Sequence, residues 1–197
     1  MKKILIIFLL LFSCNKSKVS WFDGTFIEAL KNHPNKIFMG YFYTDWWSPC
    51  KMLDAYTFSN KNVINYISEH FTPFKVNAET KTGKPLFENF KGTGYPLIIF
   101  LDQNQNELDR FYGYYPPDKF LAQLENVLSG KNTFPALLTK YKLGDQSSET
   151  MFNLANKYLD RGDNVLAKEL YSKIINHSDV SYQIFHKSKL SLGIIGL

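Results

Sequence analysis

Cysteine is scarce in this 197-residue chain, which has only two, Cys14 and Cys50. Small secreted folds that are held together by disulfides need several cysteines, so a disulfide framework is excluded. The four histidines are scattered without ligand spacing, and we expect no metal site. The sequence also lacks a glycine-rich phosphate loop and a Ser/His/Asp arrangement, and we expect no cofactor.

A run of basic residues is also missing, although the formal net charge is +5. Two of the 23 basic residues, Lys2 and Lys3, lie in the leader described below, and the other 21 face 18 acidic residues. Such a balance is typical of an ordinary solvated surface, and we expect no nucleic-acid partner.

The composition is otherwise that of a globular protein rich in aromatic residues. Hydrophobic residues make up 45% of the chain and charged residues 21%, a balance that argues against intrinsic disorder. With 17 Phe and 12 Tyr, the chain can build a dense core. Its length allows one ordinary domain and a small second one.

The N-terminus has the parts of an export signal. A basic start is followed by the apolar stretch Ile4–Phe12, which is too short to cross a bilayer because that takes about 20 residues. Leu11-Phe12-Ser13-Cys14 resembles a bacterial lipobox, in which the leader is cut before the cysteine and the cysteine thiol is diacylated. The resemblance implies a signal peptide over 1–13, lipidation of Cys14 and a tether over 14–20. A plain signal peptide with an incidental cysteine, or a short uncut membrane anchor, are the alternatives.

Hydrophobic periodicity predicts alternating helices and strands over the following hundred or so residues, in the order α-β-α-β-α-β-β-α. Ile37–Tyr43 is almost continuously apolar, as in a strand buried on both faces of a sheet. Serine is a favoured N-cap and proline suits the first turn of a helix, so a helix is predicted to begin at Ser48-Pro49. The remaining predicted helices are Asp23–Asn32, Lys61–Glu69, Gly83–Phe90 and Asp118–Leu128, and the strands are Lys36–Thr44, Thr72–Val76, Pro96–Leu101 and Leu108–Tyr112.

The segment between the first strand and the next helix resembles the active-site region of the thioredoxin superfamily. The resemblance is carried by Tyr43-Thr44-Asp45-Trp46 and Ser48-Pro49-Cys50-Lys51, with Lys75-Val76-Asn77 and Gly94-Tyr95-Pro96 as further matches, and it covers 21–130. It implies an α/β thioredoxin-like fold, with a central mixed sheet flanked by helices and a cis-proline at Pro96.

Disulfide exchange in this family needs two cysteines, and the first of them is missing here. The first sulfur lies at a helix N-terminus, where its pKa falls and its thiolate attacks a disulfide; the second sulfur then resolves the mixed disulfide. Trp47 stands at the first position and Cys50 at the second. The family also has a buried carboxylate six residues before the first cysteine, where this chain has Tyr41. The resemblance therefore implies the family's fold, and these two departures imply that the chain lacks a dithiol cycle.

Each candidate site residue has two interpretations. Cys50 is either an inert buried residue or a reactive single thiol that catalyses exchange. Trp46 and Trp47 either pack beside the helix or form an aromatic platform for a peptide. In the family, the backbone of the residue before the cis-proline pairs with an extended substrate, which needs no cysteine. The predicted peptide-binding residues are Trp46, Trp47, Ser48, Pro49, Tyr95 and Pro96.

The C-terminal part, predicted as a linker over 131–146 and a helical tail over 147–197, resembles a single tetratricopeptide helix pair. The spacing of its apolar and small residues carries the resemblance, and Gly162-Asp163 is the predicted turn between the two helices. One repeat cannot bury its own face, so the tail is expected to pack on its own chain, pair with another copy or bind a partner. The residues that match are Met151, Leu154, Ala155, Tyr158, Gly162, Ala167 and Tyr171.

Three functions remain open. The first is a thioredoxin-fold module of the cell envelope or periplasm, exported across the inner membrane, anchored through Cys14 and binding an extended peptide or protein partner. The alternative is a thiol-disulfide oxidoreductase that uses Cys50 alone, with glutathione or a partner thiol resolving the adduct. The third is a lipoprotein assembly factor whose helical tail after Gly130 recruits a partner.

Overall fold

The computed structural model describes residues 18–32 and 36–196. The predicted signal peptide, Cys14 and most of the tether lie outside the described residues, as does His33. In the described part, no helix has the length and apolar character needed to cross a membrane.

The first part of the chain forms a four-stranded mixed sheet with helices on both faces, which confirms the predicted fold class. The strand order is β2-β1-β3-β4; β1 and β2 are parallel, and β3 runs antiparallel to β1 and β4. Both helices predicted between β1 and β2, beginning at Ser48 and at Lys61, are present, which makes one helix more than the predicted order α-β-α-β-α-β-β-α contains. The elements are α1 (Phe26–Asn32), β1 (Ile37–Tyr43), α2 (Ser48–Met52) with a π-helical continuation (Leu53–Thr57), α3 (Lys61–His70), β2 (Phe71–Asn77), α4 (Gly83–Asn89), β3 (Leu97–Leu101), β4 (Glu107–Tyr112) and α5 (Pro117–Ser129).

Strand β1 is buried on both faces, as its continuous apolar sequence predicts. Met39 and Tyr41 point into the core beneath α3 and α5, whereas Phe38 and Phe42 point into the core beneath α1 and α4. All four side chains are at most 3% exposed. The loop that follows β1 therefore starts from a rigid position at the centre of the sheet.

The C-terminal part is helical throughout and has a core of its own. It comprises α6 (Phe134–Lys142), α7 (Ser148–Leu159), α8 (Asn164–Ile174) and α9 (Tyr182–Ile195). The segment 131–146 was predicted as a linker, but it contains α6, whose Leu137 is buried in the tail's core. Pro135 lies in the first turn of this helix, a position that proline favours. The tetratricopeptide resemblance itself stays a prediction.

The tail packs on its own chain, against the edge strand β4. Lys157 on α7 forms an ion pair with the buried Asp109 of β4, and Arg161 Nη2 lies 2.7 Å from Glu107 Oε1. The Arg161 guanidinium also stacks on the Phe134 ring at 4.1 Å. Of the three arrangements that the sequence left open, the structure thus shows the tail docked on the thioredoxin-like part.

Candidate functional site

The loop after β1 carries the motif and ends at the N-terminus of α2. Trp47, not Ser48, is the N-cap residue: its backbone is extended, and its carbonyl accepts hydrogen bonds from the N–H groups of Cys50 (3.1 Å) and Lys51 (3.3 Å). The helix thus begins at Ser48, as predicted, but Ser48 is its first helical residue and not its cap, and Pro49 lies in the first turn. The indole of Trp47 makes no capping hydrogen bond, so the cap position lacks a side-chain acceptor.

Cys50 is buried on the inner face of this helix, with 1% of its surface exposed. Burial raises the pKa of its thiol above the ordinary value, and hydrogen bonds from the Thr44 backbone and the Tyr41 hydroxyl offset only part of that effect. A thiol that is both enclosed and weakly acidic is a poor nucleophile at neutral pH. The geometry thus favours the structural interpretation of Cys50.

Tyr41, which stands where the resemblance implies a carboxylate, is fully enclosed beneath the helix. Its hydroxyl donates a hydrogen bond to the Cys50 carbonyl at 3.2 Å, and burial raises the pKa of the phenol well above its usual range. Lys75 lies against the Tyr43 ring at 4.3 Å and pairs with Asp54 at 2.8 Å. Sequence reasoning missed Asp54, although its position four residues after Cys50 in one helical segment could have indicated it.

The two tryptophans of the motif are at the surface. Trp46 is 60% and Trp47 39% exposed, and their rings meet edge to face at 5.4 Å. The Trp46 indole N–H donates to Glu79 at 2.9 Å, which fixes the ring while leaving its face open to solvent. Glu79, on the loop after β2, was not predicted, because no local sequence signal connects it to the motif. Ser48 is exposed beside them, and Pro49 is half-buried.

The loop before β3 faces the motif. The Tyr95–Pro96 peptide bond is cis, as the resemblance implies, and Pro96 is buried. The half-buried Tyr95 packs its ring on Phe87 at 4.9 Å. Burial raises the pKa of the Tyr95 hydroxyl, and the nearby carboxylate of Glu79, which accepts the hydrogen bond from Trp46, raises it further.

The backbone of Tyr95 is open to a partner. Within residues 18–32 and 36–196, neither its N–H nor its carbonyl makes a hydrogen bond, whereas the next carbonyl, that of Pro96, accepts from Gly113 at 3.0 Å. An unpaired backbone beside exposed aromatic rings can hold an extended peptide. In the same described part, no group of three or more His, Cys, Asp or Glu side chains is arranged to hold a metal ion.

Known proteins are similar in sequence to the first part of the chain. The thiol:disulfide interchange protein DsbD of Haemophilus influenzae is 32% identical over 105 residues, which are 51% of this chain and 18% of that protein. The protein of the same name from Neisseria meningitidis serogroup A is 30% identical over 98 residues, 49% of this chain and 16% of the relative. The chain thus spans less than a fifth of the length of these curated relatives.

Solved structures have the same fold. A thioredoxin from Thermus thermophilus superposes with a TM-score of 0.51 at 22% identity, covering 56% of this chain and 88% of that one. The DsbH oxidoreductase superposes with a TM-score of 0.50 at 16% identity, covering 58% and 88%. A family model described as the thioredoxin-like domain matches residues 22–128, more than half of the chain. The chain therefore belongs to the thioredoxin-like domain family.

Proposed function

We propose that this protein binds an extended segment of a partner protein on the surface formed by Trp46, Trp47, Tyr95 and Pro96, without a dithiol cycle of its own. The observation that carries the proposal is the pairing of an unbonded Tyr95 backbone with two exposed indoles, next to a cysteine that is 1% exposed. The backbone supplies strand-like hydrogen bonds, and the indoles supply apolar contact area at a low cost in side-chain entropy.

Ser48 and Pro49 complete this surface at the start of α2. The indole pair is held by the Trp46–Glu79 hydrogen bond, so little ordering is required when a peptide arrives. Binding would remove the apolar surface of these exposed tryptophans from contact with water. Burial of apolar surface is the ordinary driving force at the centre of protein interfaces.

A second candidate is thiol-disulfide exchange through Cys50 alone, and the similarity to DsbD favours it over pure binding. The Cys50 thiolate would attack a partner disulfide, forming a mixed disulfide and releasing one partner thiol. Glutathione or another thiol would then attack the mixed disulfide and regenerate Cys50. The step needs a local opening that exposes the sulfur, because burial both encloses the thiol and raises its pKa.

We also propose that the protein acts in the cell envelope or periplasm. The support is the leader over 1–13 and the lipobox-like Leu11-Phe12-Ser13-Cys14, whose acylation would anchor the chain at a membrane. Metabolic labelling with a radioactive fatty acid tests it: wild type should incorporate label and Cys14→Ser should not.

The two candidates are separated by capture of partners from an envelope extract, read by quantitative mass spectrometry. For peptide binding, we expect Trp46→Ala and Trp47→Ala to lose the partners and Cys50→Ala to keep them, with or without a reductant. If capture depends on Cys50 and is reversed by a reductant, single-thiol exchange replaces the binding proposal.

The rate of Cys50 alkylation by iodoacetamide supplies an independent check. We expect modification at neutral pH only after unfolding in urea, because the thiol is enclosed in the native state. Rapid modification of the folded protein, with an apparent pKa well below about 8.5, would contradict the structural interpretation of this cysteine.

A further inference from the structure

Helix α9, the last helix of the tail, packs on its neighbours with one side only. Ser188 on that side is fully buried, and Ile184, Leu192 and Ile195 pack against the core of the tail. The opposite side is exposed to solvent. The end helix of a stacked helical array needs a polar outer face to stay soluble, so a polar surface is expected there.

The outer face of α9 is instead apolar. Tyr182, Leu190 and Ile194 are 82%, 68% and 66% exposed, and their spacings of eight and four residues place them on the same side of the helix. No other helix within residues 18–32 and 36–196 carries three exposed large apolar side chains. Single exposed apolar residues are common, whereas a row of them along one helix indicates an interaction surface. We call these three residues the α9 stripe.

The charges beside the α9 stripe are all positive. Lys187 and Lys189 are exposed, and at about 100° per residue they fall on opposite sides of the stripe. Among the described residues neither forms an ion pair with a carboxylate, and Lys189 only approaches the ring of Phe185, at 5.3 Å from its centre. The helix contains no Asp or Glu. A negatively charged partner would therefore complement this face.

This charge pattern disfavours a second copy of the chain as the partner. Two α9 helices packed face to face would bring their lysines together, without a carboxylate on either helix to neutralise them. A defined acidic protein would need polar groups to fix its position, and the stripe offers only the Tyr182 hydroxyl and the neighbouring His186.

The same pattern fits a lipid surface. An apolar stripe with a tyrosine and flanking lysines is typical of helices that lie along the lipid–water boundary. The lysine stems cover apolar surface there, while the ammonium groups contact anionic head groups. Such a helix lies on the membrane, in agreement with the finding that no helix of the described part can cross one.

We propose that the outer face of α9 binds the surface of a membrane that contains anionic lipids. The α9 stripe enters the boundary region, and Lys187 and Lys189 contact the head groups. None of these residues belongs to the proposed peptide-binding surface, and the membrane contact requires neither a bound peptide nor an acylated Cys14.

A fluorescent label on α9 tests this contact in the full chain. Ile194→Cys is labelled with a nitrobenzoxadiazole dye in a Cys14→Ser background, where the buried Cys50 stays unmodified. With vesicles of equal parts phosphatidylglycerol and phosphatidylcholine at low salt, we expect the emission to move to shorter wavelength and to resist quenching by iodide. Vesicles of phosphatidylcholine alone, or high salt, should remove this change.

The matched control is the same label at Leu143→Cys, because Leu143 is an exposed apolar residue at the end of α6. Its emission should not change. Each label reports only its own surroundings, so this pair distinguishes contact through α9 from attachment through the N-terminus. Combining Lys187→Gln with Lys189→Gln should lower the ratio of inserted to free label at position 194 about tenfold or more, whereas Lys81→Gln should leave it unchanged.

Four outcomes overturn the proposal. The first is unchanged emission at position 194 with anionic vesicles, and the second is an equal change with neutral vesicles or at position 143. The third is a change that needs no vesicles and grows with protein concentration, which would assign the face to a second copy of the chain. The fourth is a change with polyglutamate but not with vesicles, which would assign the face to an acidic protein.

Discussion

The Asp160→Asn substitution should stabilise the protein, and the gain should depend on pH. Asp160 follows the last turn of α7 and is half-buried against the docked sheet edge. Burial raises the pKa of its carboxyl from 3.8 to about 6, and the positive charges of Lys157 and Arg161 offset only part of that effect. The negative end of the α7 dipole acts in the same direction as burial.

The size of the gain follows from the two pKa values. Between pH 3.8 and about 6, the folded protein binds more protons at Asp160 than the unfolded chain does, so stability falls as the pH rises through this window. A shift of about two units corresponds to a penalty of about 3 kcal/mol at pH 7.5 but only about 1 kcal/mol at pH 4.5. Asparagine is nearly isosteric and carries no charge, so the variant should be free of this penalty at both pH values.

Urea unfolding of wild type and variant at the two pH values measures the difference. We expect the stabilisation at pH 7.5 to exceed that at pH 4.5 by about 2 kcal/mol. All other titrating groups are shared by the two proteins, so their contributions cancel. Asp118→Asn, at an exposed carboxylate in the first turn of α5, is the control for removing a carboxylate at the protein surface. An equal effect of Asp160→Asn at both pH values would show that this carboxylate is not buried against β4, and the docking of the tail would have to be reconsidered.

Two further predictions concern the backbone and the motif. Gly83→Ala places a Cβ 2.0 Å from the Asn77 carbonyl oxygen and should destabilise the protein by about 1 to 3 kcal/mol in urea unfolding. The control Gly193→Ala meets open space inside α9 and should stabilise the protein by up to about 1 kcal/mol. Equal effects of the two substitutions would refute the packing at the start of α4. Trp47→Cys restores the two-cysteine spacing, and we expect the new thiol to form a mixed disulfide with a glutathione disulfide probe. Cys50 should resolve this mixed disulfide slowly, because the pKa of its thiol is raised. Turnover at the rate of an ordinary dithiol protein would contradict the buried environment of Cys50.

The sequence predicted those parts of the fold that depend on local pattern. β1 was recognisable because seven consecutive residues, Ile37–Tyr43, are apolar or small, a pattern that only a doubly covered strand explains at this length. Helix α6 was not predicted because Pro135 is as compatible with a linker as with the first turn of a helix. The start of α2 at Ser48 was predicted, but its N-cap was not, because propensity favours serine as a cap whereas the observed backbone hydrogen bonds go to the Trp47 carbonyl.

The parts of the site that were missed depend on contacts between distant segments. The Trp46–Glu79 hydrogen bond exists because the register of β1 with β2 pairs Tyr43 with Asn77 and so brings the two following loops together. Nothing within a few residues of either partner encodes that register. The same holds for the unpaired Asp160, whose surroundings are created only when α7 docks on β4.

Three features distinguish this site from a dithiol site, and each of them disfavours disulfide exchange. They meet at Cys50, since Trp47 and Tyr41 are both hydrogen-bonded to its backbone. Trp47 removes the attacking thiol, and burial keeps the Cys50 thiol protonated. The Tyr41 phenol donates its hydrogen bond to the Cys50 carbonyl and, because its pKa is raised, stays protonated at neutral pH and cannot act as a base. Restoring one of them leaves the other two barriers in place, so a single substitution cannot return full exchange activity. The Tyr95 backbone and the hydrogen bond between Trp46 and Glu79 involve none of these three groups, although the Trp46 ring also packs on Trp47. Loss of the dithiol cycle therefore leaves the Tyr95 backbone of the proposed binding surface intact.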